Sequence, residues 1–173
     1  MVYDRVQEMF EFFQKEEILD AEWTLYFGEE PTSCRFKSKE IYINPRQCMD
    51  GDELEYMRIT AGEFSNLFSP LEIHFFHELG HFCDFKYRLK YDKEPVMKML
   101  AERTQILRMQ RKQAKKTMKR YGKANVFEAL ENVACKLEAH FYRSLPLEVE
   151  ADENAKLLMR YYLDSHTSHP SLG

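Results

Sequence analysis

Residues 69–87 leave the chain little conformational freedom. Ser69-Pro70-Leu71-Glu72 stacks three helix-start signals: an N-cap serine, proline at the first helical position, and a glutamate placed to close a capping box. The pattern predicts a helix running to about Tyr87, with His77-Glu78-Leu79-Gly80-His81 in its middle. Residues four apart share one helical face, so both imidazoles point the same way.

Around this segment the hydrophobic period changes twice. Val2, Val6, Met9, Phe10, Phe13 and Ile18 follow helical spacing, which predicts an amphipathic helix over 2–19. Trp23-Thr24-Leu25-Tyr26-Phe27 is β-branched and aromatic and stops at Gly28. Arg35 to Asn44 carries the strand formers Ile41-Tyr42-Ile43 and breaks at Asn44-Pro45. Together these predict a short antiparallel sheet on a mostly helical body, an α+β fold. Residues 46–68 fit either a short helix or a third strand around Glu55 to Thr60. A long polar helix is expected from Glu94 to Tyr121, closed by Gly122. Asn125-Val126-Phe127-Glu128 caps another, and a last helix is expected from Pro146 to about Leu163. The polar tail 164–173 is expected to be mobile.

A chain of 173 residues, 44% hydrophobic and 31% charged, with 6 Gly and 6 Pro, has the makeup of one globular domain and excludes a disordered or collagen-like protein. No apolar run reaches the ~18 residues of a membrane span. The N-terminus lacks the basic start and uniform apolar stretch of a signal peptide, so the cytoplasm is the expected compartment. Cys34, Cys48, Cys83 and Cys135 form no CxxC pair, which argues against a zinc ribbon or a disulfide scaffold. The net charge of −4 conceals a basic block: residues 85–123 hold 14 Lys/Arg against three acids, leaving the remainder strongly acidic.

His77-Glu78-Leu79-Gly80-His81 is an HExxH motif. On a helix, both histidines can converge on one Zn²⁺, Glu78 can reach a water at the metal, and Gly80 lets a neighbouring element approach closely. A catalytic zinc needs three protein ligands. The metzincin pattern would put Gly and His at positions held by Asp84 and Tyr87, so that class is excluded. A later acidic helix is the other source. In Leu147-Glu148-Val149-Glu150-Ala151-Asp152, Glu148 and Asp152 are four apart on one face, so one can ligate while the other orients a ligand imidazole. Glu150 is the rival ligand.

HELGH followed by a downstream E-x-E-A-D helix resembles the gluzincin class of zinc metallopeptidases. In detail, residues 1–92 and 144–163 are similar to the ImmA/IrrE-like group of small cytoplasmic metallopeptidases, including the strand Lys39-Glu40-Ile41-Tyr42-Ile43-Asn44. The resemblance implies a single zincin-like domain over 1–173, one zinc ion held by His77, His81 and Glu148, Glu78 as general base, and Asp152 behind a ligand. It implies hydrolysis of peptide bonds in a protein or peptide, such as a specific regulator. Two departures stand out: a basic helical insertion at about 93–143, and no helix-turn-helix signature.

Several residues carry two readings. His74 shares the face of His77 and is either a ligand or a packed histidine. Cys83 is better read as part of an apolar flank with Phe82 and Phe85 than as a regulatory thiol. Ile41, Tyr42 and Ile43 are candidate substrate contacts if an extended peptide pairs with that strand. Tyr161, Tyr162, Arg160, Arg143 and His140 are all candidates for stabilising a transition state. The basic stretch 85–123 is either a solvated face or a docking surface for an acidic partner or a nucleic-acid-associated protein. The latter belongs to the alternative function, a non-catalytic binding protein on the same fold. Direct nucleic-acid contact is weakly indicated, since aromatic residues are not interleaved with the charges.

Overall fold

The computed structural model describes residues 2–91, Arg143 and 146–167, with isolated positions at Lys98, Glu102, Gln105, Ile106, Met109, Lys112 and Gln113. Most of the expected basic insertion at 93–143, His140, and the end of the tail from 168 onward lie outside the described residues. The chain divides into two compact units, residues 1–86 with 150–173, and residues 87–149. The first is an α+β assembly.

Helix α1 (Val2–Lys15) buries Val6, Met9, Phe10 and Phe13 along one stripe. It ends four residues before the expected limit of Leu19. Glu17 adopts φ 57, and the amides of Ile18 and Leu19 both donate back to Phe13 O, which turns the chain out of the helix. Ile18 and Leu19 still pack in or against the core, so the apolar stripe outlasts the helix.

Three strands follow: β1 (Thr24–Phe27), β2 (Ser33–Arg35) and β3 (Glu40–Ile43), in the spatial order β1-β3-β2. The expected sheet was antiparallel; the observed one is mixed. β2 pairs antiparallel with β3, with Cys34 opposite Ile41, whereas β1 lies parallel to β3, with Leu25 opposite Ile41. The reason is positional. A tight turn joins β2 to β3, and β1 takes the far side of β3, two strands away along the chain.

Asn44 then caps the short helix α2 (Pro45–Cys48), its side-chain oxygen accepting from the amides of Arg46 and Gln47. The ambiguous region proves helical: α3 spans Gly51–Ala61 and continues as a single 3₁₀ turn at Gly62–Phe64. No third strand forms at Glu55 to Thr60.

Helix α4 (Pro70–Tyr91) starts where its signals put it. The Ser69 amide donates to the Glu72 carboxylate and the Glu72 amide donates to Ser69 Oγ, closing the capping box. Glu72 is fully buried and also pairs with Arg5 of α1 at 3.0 Å. Residues 71–82 of α4 are buried without interruption, so this is the central helix of the unit rather than a surface one. Helix α5 (Pro146–Thr167) runs past the expected end at Leu163 and takes in the start of the expected tail. A cluster of Phe12, Phe13, Phe68, Phe75, Phe76 and Tyr162 joins α1, α4 and α5 through edge-to-face and tilted ring contacts. Among the described residues, no helix is long and apolar enough to cross a membrane.

Candidate metal centre

The centre is built where α4 and α5 cross. A Cβ placed on Gly80 would meet Ala151 O at 2.2 Å and Ala151 C at 3.0 Å, so the two helices touch backbone to backbone there. Only glycine permits that distance. Asn154 Nδ2 donates to Gly80 O at 3.4 Å one turn further on. The contact at Ala151 falls between Glu148 and Asp152, which project from the same face of α5 on either side of it.

His77 is held from behind. Its Nδ1 lies 2.7 Å from Asp152 Oδ1, and both side chains are almost completely buried. A carboxylate accepts, so the imidazole carries its proton on Nδ1 and presents the lone pair of Nε2 forward. That atom faces His81 Nε2 at 3.1 Å, with the rings edge to face. One ligand atom from each of His77, His81 and Glu148 falls within 4.8 Å of the others, and this group could hold a metal ion. The donor set fits one. A tetrahedral ion bound to two nitrogens at about 2.0–2.1 Å holds them about 3.3 Å apart, close to the observed separation. Two neutral imidazoles and a carboxylate also suit a divalent borderline metal.

Glu150, the rival ligand, is outside this group; two residues along a helix it points away from the face of Glu148. Arg143 Nη1 lies 3.7 Å from Glu148 Oε2, and its side chain is largely buried. At this separation the contact with Oε2 is an ion pair, too long for a hydrogen bond.

Glu78 is 6% exposed, and its carboxylate has no hydrogen bond or ion pair with any described residue. Its charge is nevertheless felt on the sheet side. Burial pushes the Cys34 thiol well above its ordinary range, and the field of Glu78 adds to the effect. Cys48 is pushed up to about 12, chiefly by burial, with Glu53 and Glu78 contributing in the same sense.

The other sequence candidates fall elsewhere. His74 is packed: it is 1% exposed, its Nδ1 donates to Pro70 O at 2.9 Å, and its Nε2 lies 3.3 Å from Glu53 Oε1. Burial raises the Cys83 thiol to about 11, which keeps it protonated at neutral pH and fits an apolar flank. Tyr161 donates to Glu16, Arg160 pairs with Glu63, and Tyr162 belongs to the aromatic cluster; none of these partners is a centre residue. Ile41, Tyr42 and Ile43 do not form an open rim. Their strand is the central one, hydrogen-bonded on both sides, and Ile41 and Ile43 are fully buried. An added strand would have to pair at an outer strand, β2 or β1.

One participant had no sequence signal. Tyr56 of α3 donates its hydroxyl to Asp152 Oδ2 at 2.6 Å, across 96 residues of chain. It lies in the region whose secondary structure was ambiguous, and no motif marks it.

Compared with protein-family models, curated proteins and solved structures, the chain gives no match.

Proposed function

We propose that this chain is a zinc-dependent metallopeptidase with a zincin-like fold of the gluzincin kind, acting on a protein or peptide. The observation that supports this best is the convergence of His77 Nε2, His81 Nε2 and Glu148 around one small space, with Glu78 on the same helix carrying a buried carboxylate that no described side chain satisfies.

His77, His81 and Glu148 would hold the ion. When bound, zinc supplies Lewis acidity, polarising a carbonyl and bringing the pKa of a coordinated water to ~7. Asp152 keeps the His77 proton on Nδ1, so Nε2 stays available as a donor. Glu78 is the group suited to proton transfer. Its carboxylate accepts a proton from the attacking water and passes it to the amine of the departing peptide. Arg143, 3.7 Å from Glu148 Oε2, would add a positive charge beside that ligand.

The test separates binding from chemistry. Glu78→Gln should retain one zinc per chain by elemental analysis and lose hydrolysis of a quenched-fluorescence peptide library, because an amide cannot take the proton. Loss of metal with activity would make Glu78 a ligand. Unchanged hydrolysis would end the proposal.

A further inference from the structure

We propose that Tyr56 is a positioning residue of the metal centre, acting through Asp152 to hold His77 in its ligating orientation and tautomer. This rests on the metalloprotein reading above and adds a residue that reading does not contain.

The argument begins with the carboxylate of Asp152. Its two oxygens have different partners: Oδ1 faces His77 Nδ1 at 2.7 Å and Oδ2 accepts from Tyr56 Oη at 2.6 Å. Held by the imidazole alone, a carboxylate can rotate about its terminal bond and exchange oxygens. A second short bond to a hydroxyl on another helix removes that freedom. Both distances are in the range of charge-assisted bonds. The ring plane of His77 is thereby set from two elements, α5 through Asp152 and α3 through Tyr56.

α3 is placed for this role. Glu53, Tyr56, Met57 and Thr60 recur at helical spacing along one side of it. Glu53 reaches His74 of α4, and Tyr56 reaches Asp152 of α5. Met57 is 1% exposed, and Met57 and Thr60 line the same small cavity as His77 and Asp152. Thr60 Oγ1 donates to the Tyr56 and Met57 carbonyls, which ties down the turn that carries the phenol. The opposite side of the helix is open, with Ile59 71% exposed. A helix whose inner side contacts both centre-bearing helices, at the residues beside the ligands, is a brace.

Two effects of the phenol oppose each other. Holding Asp152 fixed favours metal binding, whereas accepting from a hydroxyl draws charge from the carboxylate and weakens its pull on the His77 proton. The Tyr56 bond is to the oxygen that His77 does not use, so it restrains the carboxylate without displacing the His77 bond, and the zinc affinity of Tyr56→Phe reads which effect is larger. Partners of metal ligands are commonly worth about 10- to 100-fold in affinity, and a group one bond further out should fall at the lower end.

The experiment uses the full chain stripped of metal, with competition titrations of Zn²⁺ and the visible absorption of Co²⁺ as readouts. Tyr56→Phe keeps the ring and removes the hydroxyl. It is expected to melt somewhat below wild type, and at temperatures where both remain folded to bind zinc about tenfold more weakly and to give an altered Co²⁺ spectrum. The same change in an Asp152→Asn background should add little, because Tyr56 acts through that carboxylate. A fully additive loss would overturn the proposal, and so would unchanged zinc affinity in Tyr56→Phe; either leaves the metal centre itself intact. A wild-type chain that binds no zinc overturns the underlying reading instead. A measurement free of variants completes the set: nitrogen NMR of the metal-free wild type should show His77 protonated on Nδ1, and protonation on Nε2 would overturn the proposal.

Discussion

Replacing Gly80 by alanine tests the crossing on which the centre depends. The new Cβ would stand 2.2 Å from Ala151 O, 3.0 Å from its carbonyl carbon and 3.2 Å from its Cα. Ordinary contact begins near 3.4 Å, so α4 and α5 must separate by roughly 1.2 Å at that point. The obstacle is backbone, which cannot swing aside as a side chain would. Asp152 is the next residue, so its 2.7 Å bond to His77 stretches toward about 3.9 Å, beyond hydrogen-bond range. Glu148, one turn back, moves with it. Overpacking costs about 1–3 kcal/mol, and a lost bond to a charged group about 1.5–3 kcal/mol. Alanine returns about 0.8–1 kcal/mol of helix propensity. A net loss of about 3 kcal/mol follows, which lowers the melting temperature by about 6–12 °C in a chain of this size. Zinc affinity should fall at least tenfold. Gly51→Ala is the matched control. It has nothing within 4 Å of the added Cβ, and the melting temperature should barely move. Calorimetry and zinc titration of both variants decide it. If Gly80→Ala melts and binds zinc like wild type, the close crossing is not what assembles the ligands.

Glu148→Ala should abolish stoichiometric zinc binding while Glu150→Ala retains it, as measured by elemental analysis after gel filtration; the reverse result would exchange their roles. Burial raises the Cys83 thiol to about 11 and Cys48 to about 12 from an ordinary 9.0, so the folded chain keeps these protons when the unfolded chain has lost them. Their contribution to stability is whole below pH 9 and is lost as pH rises through 11 to 12, so the melting temperature should fall across that window less steeply in a Cys48→Ala, Cys83→Ala chain. Arg160→Ala should change stability by less than about 1 kcal/mol, because its pairing with Glu63 joins two well-exposed side chains. A larger effect by denaturant melting would mean that packing of Arg160 over the Phe64 ring matters more than its charge.

The elements legible in the sequence were those with local signals. α4 begins at the residue where serine, proline and glutamate coincide, because capping is decided within four residues. β1 and β3 were found by composition and α1 by its stripe, whereas the three-residue β2 (Ser33–Arg35) had no such signal. The errors share a cause: they lie where tertiary partners decide. The parallel pairing of β1 depends on which side of β3 remains open, which no local pattern encodes. α3 was ambiguous because its inner side is mixed. It combines Glu53 and Tyr56, which make polar contacts to other helices, with the buried Met57, while an isoleucine faces solvent. A periodicity search looks for apolar residues inside and polar residues outside, and a bracing helix inverts part of that rule.

The same distinction governs the centre. HExxH and the acidic turn of α5 could be read because helical periodicity places residues four apart on one face without knowledge of the partner. Gly80 could be read as an allowance for close approach, although the approaching residue, Ala151, could not be named. Tyr56 is the opposite case. What sets it apart is a hydrogen bond to a carboxylate 96 residues away, from a helix with no motif. A ligand has to match a metal's geometry, so its spacing is constrained and leaves a pattern. A residue that orients a ligand's partner has only to reach one oxygen, which a tyrosine on many backbones could do. Layers further from a candidate metal site are therefore progressively less visible in one sequence. Within this chain the order runs from the two histidines, through Glu148 and Asp152, to Tyr56.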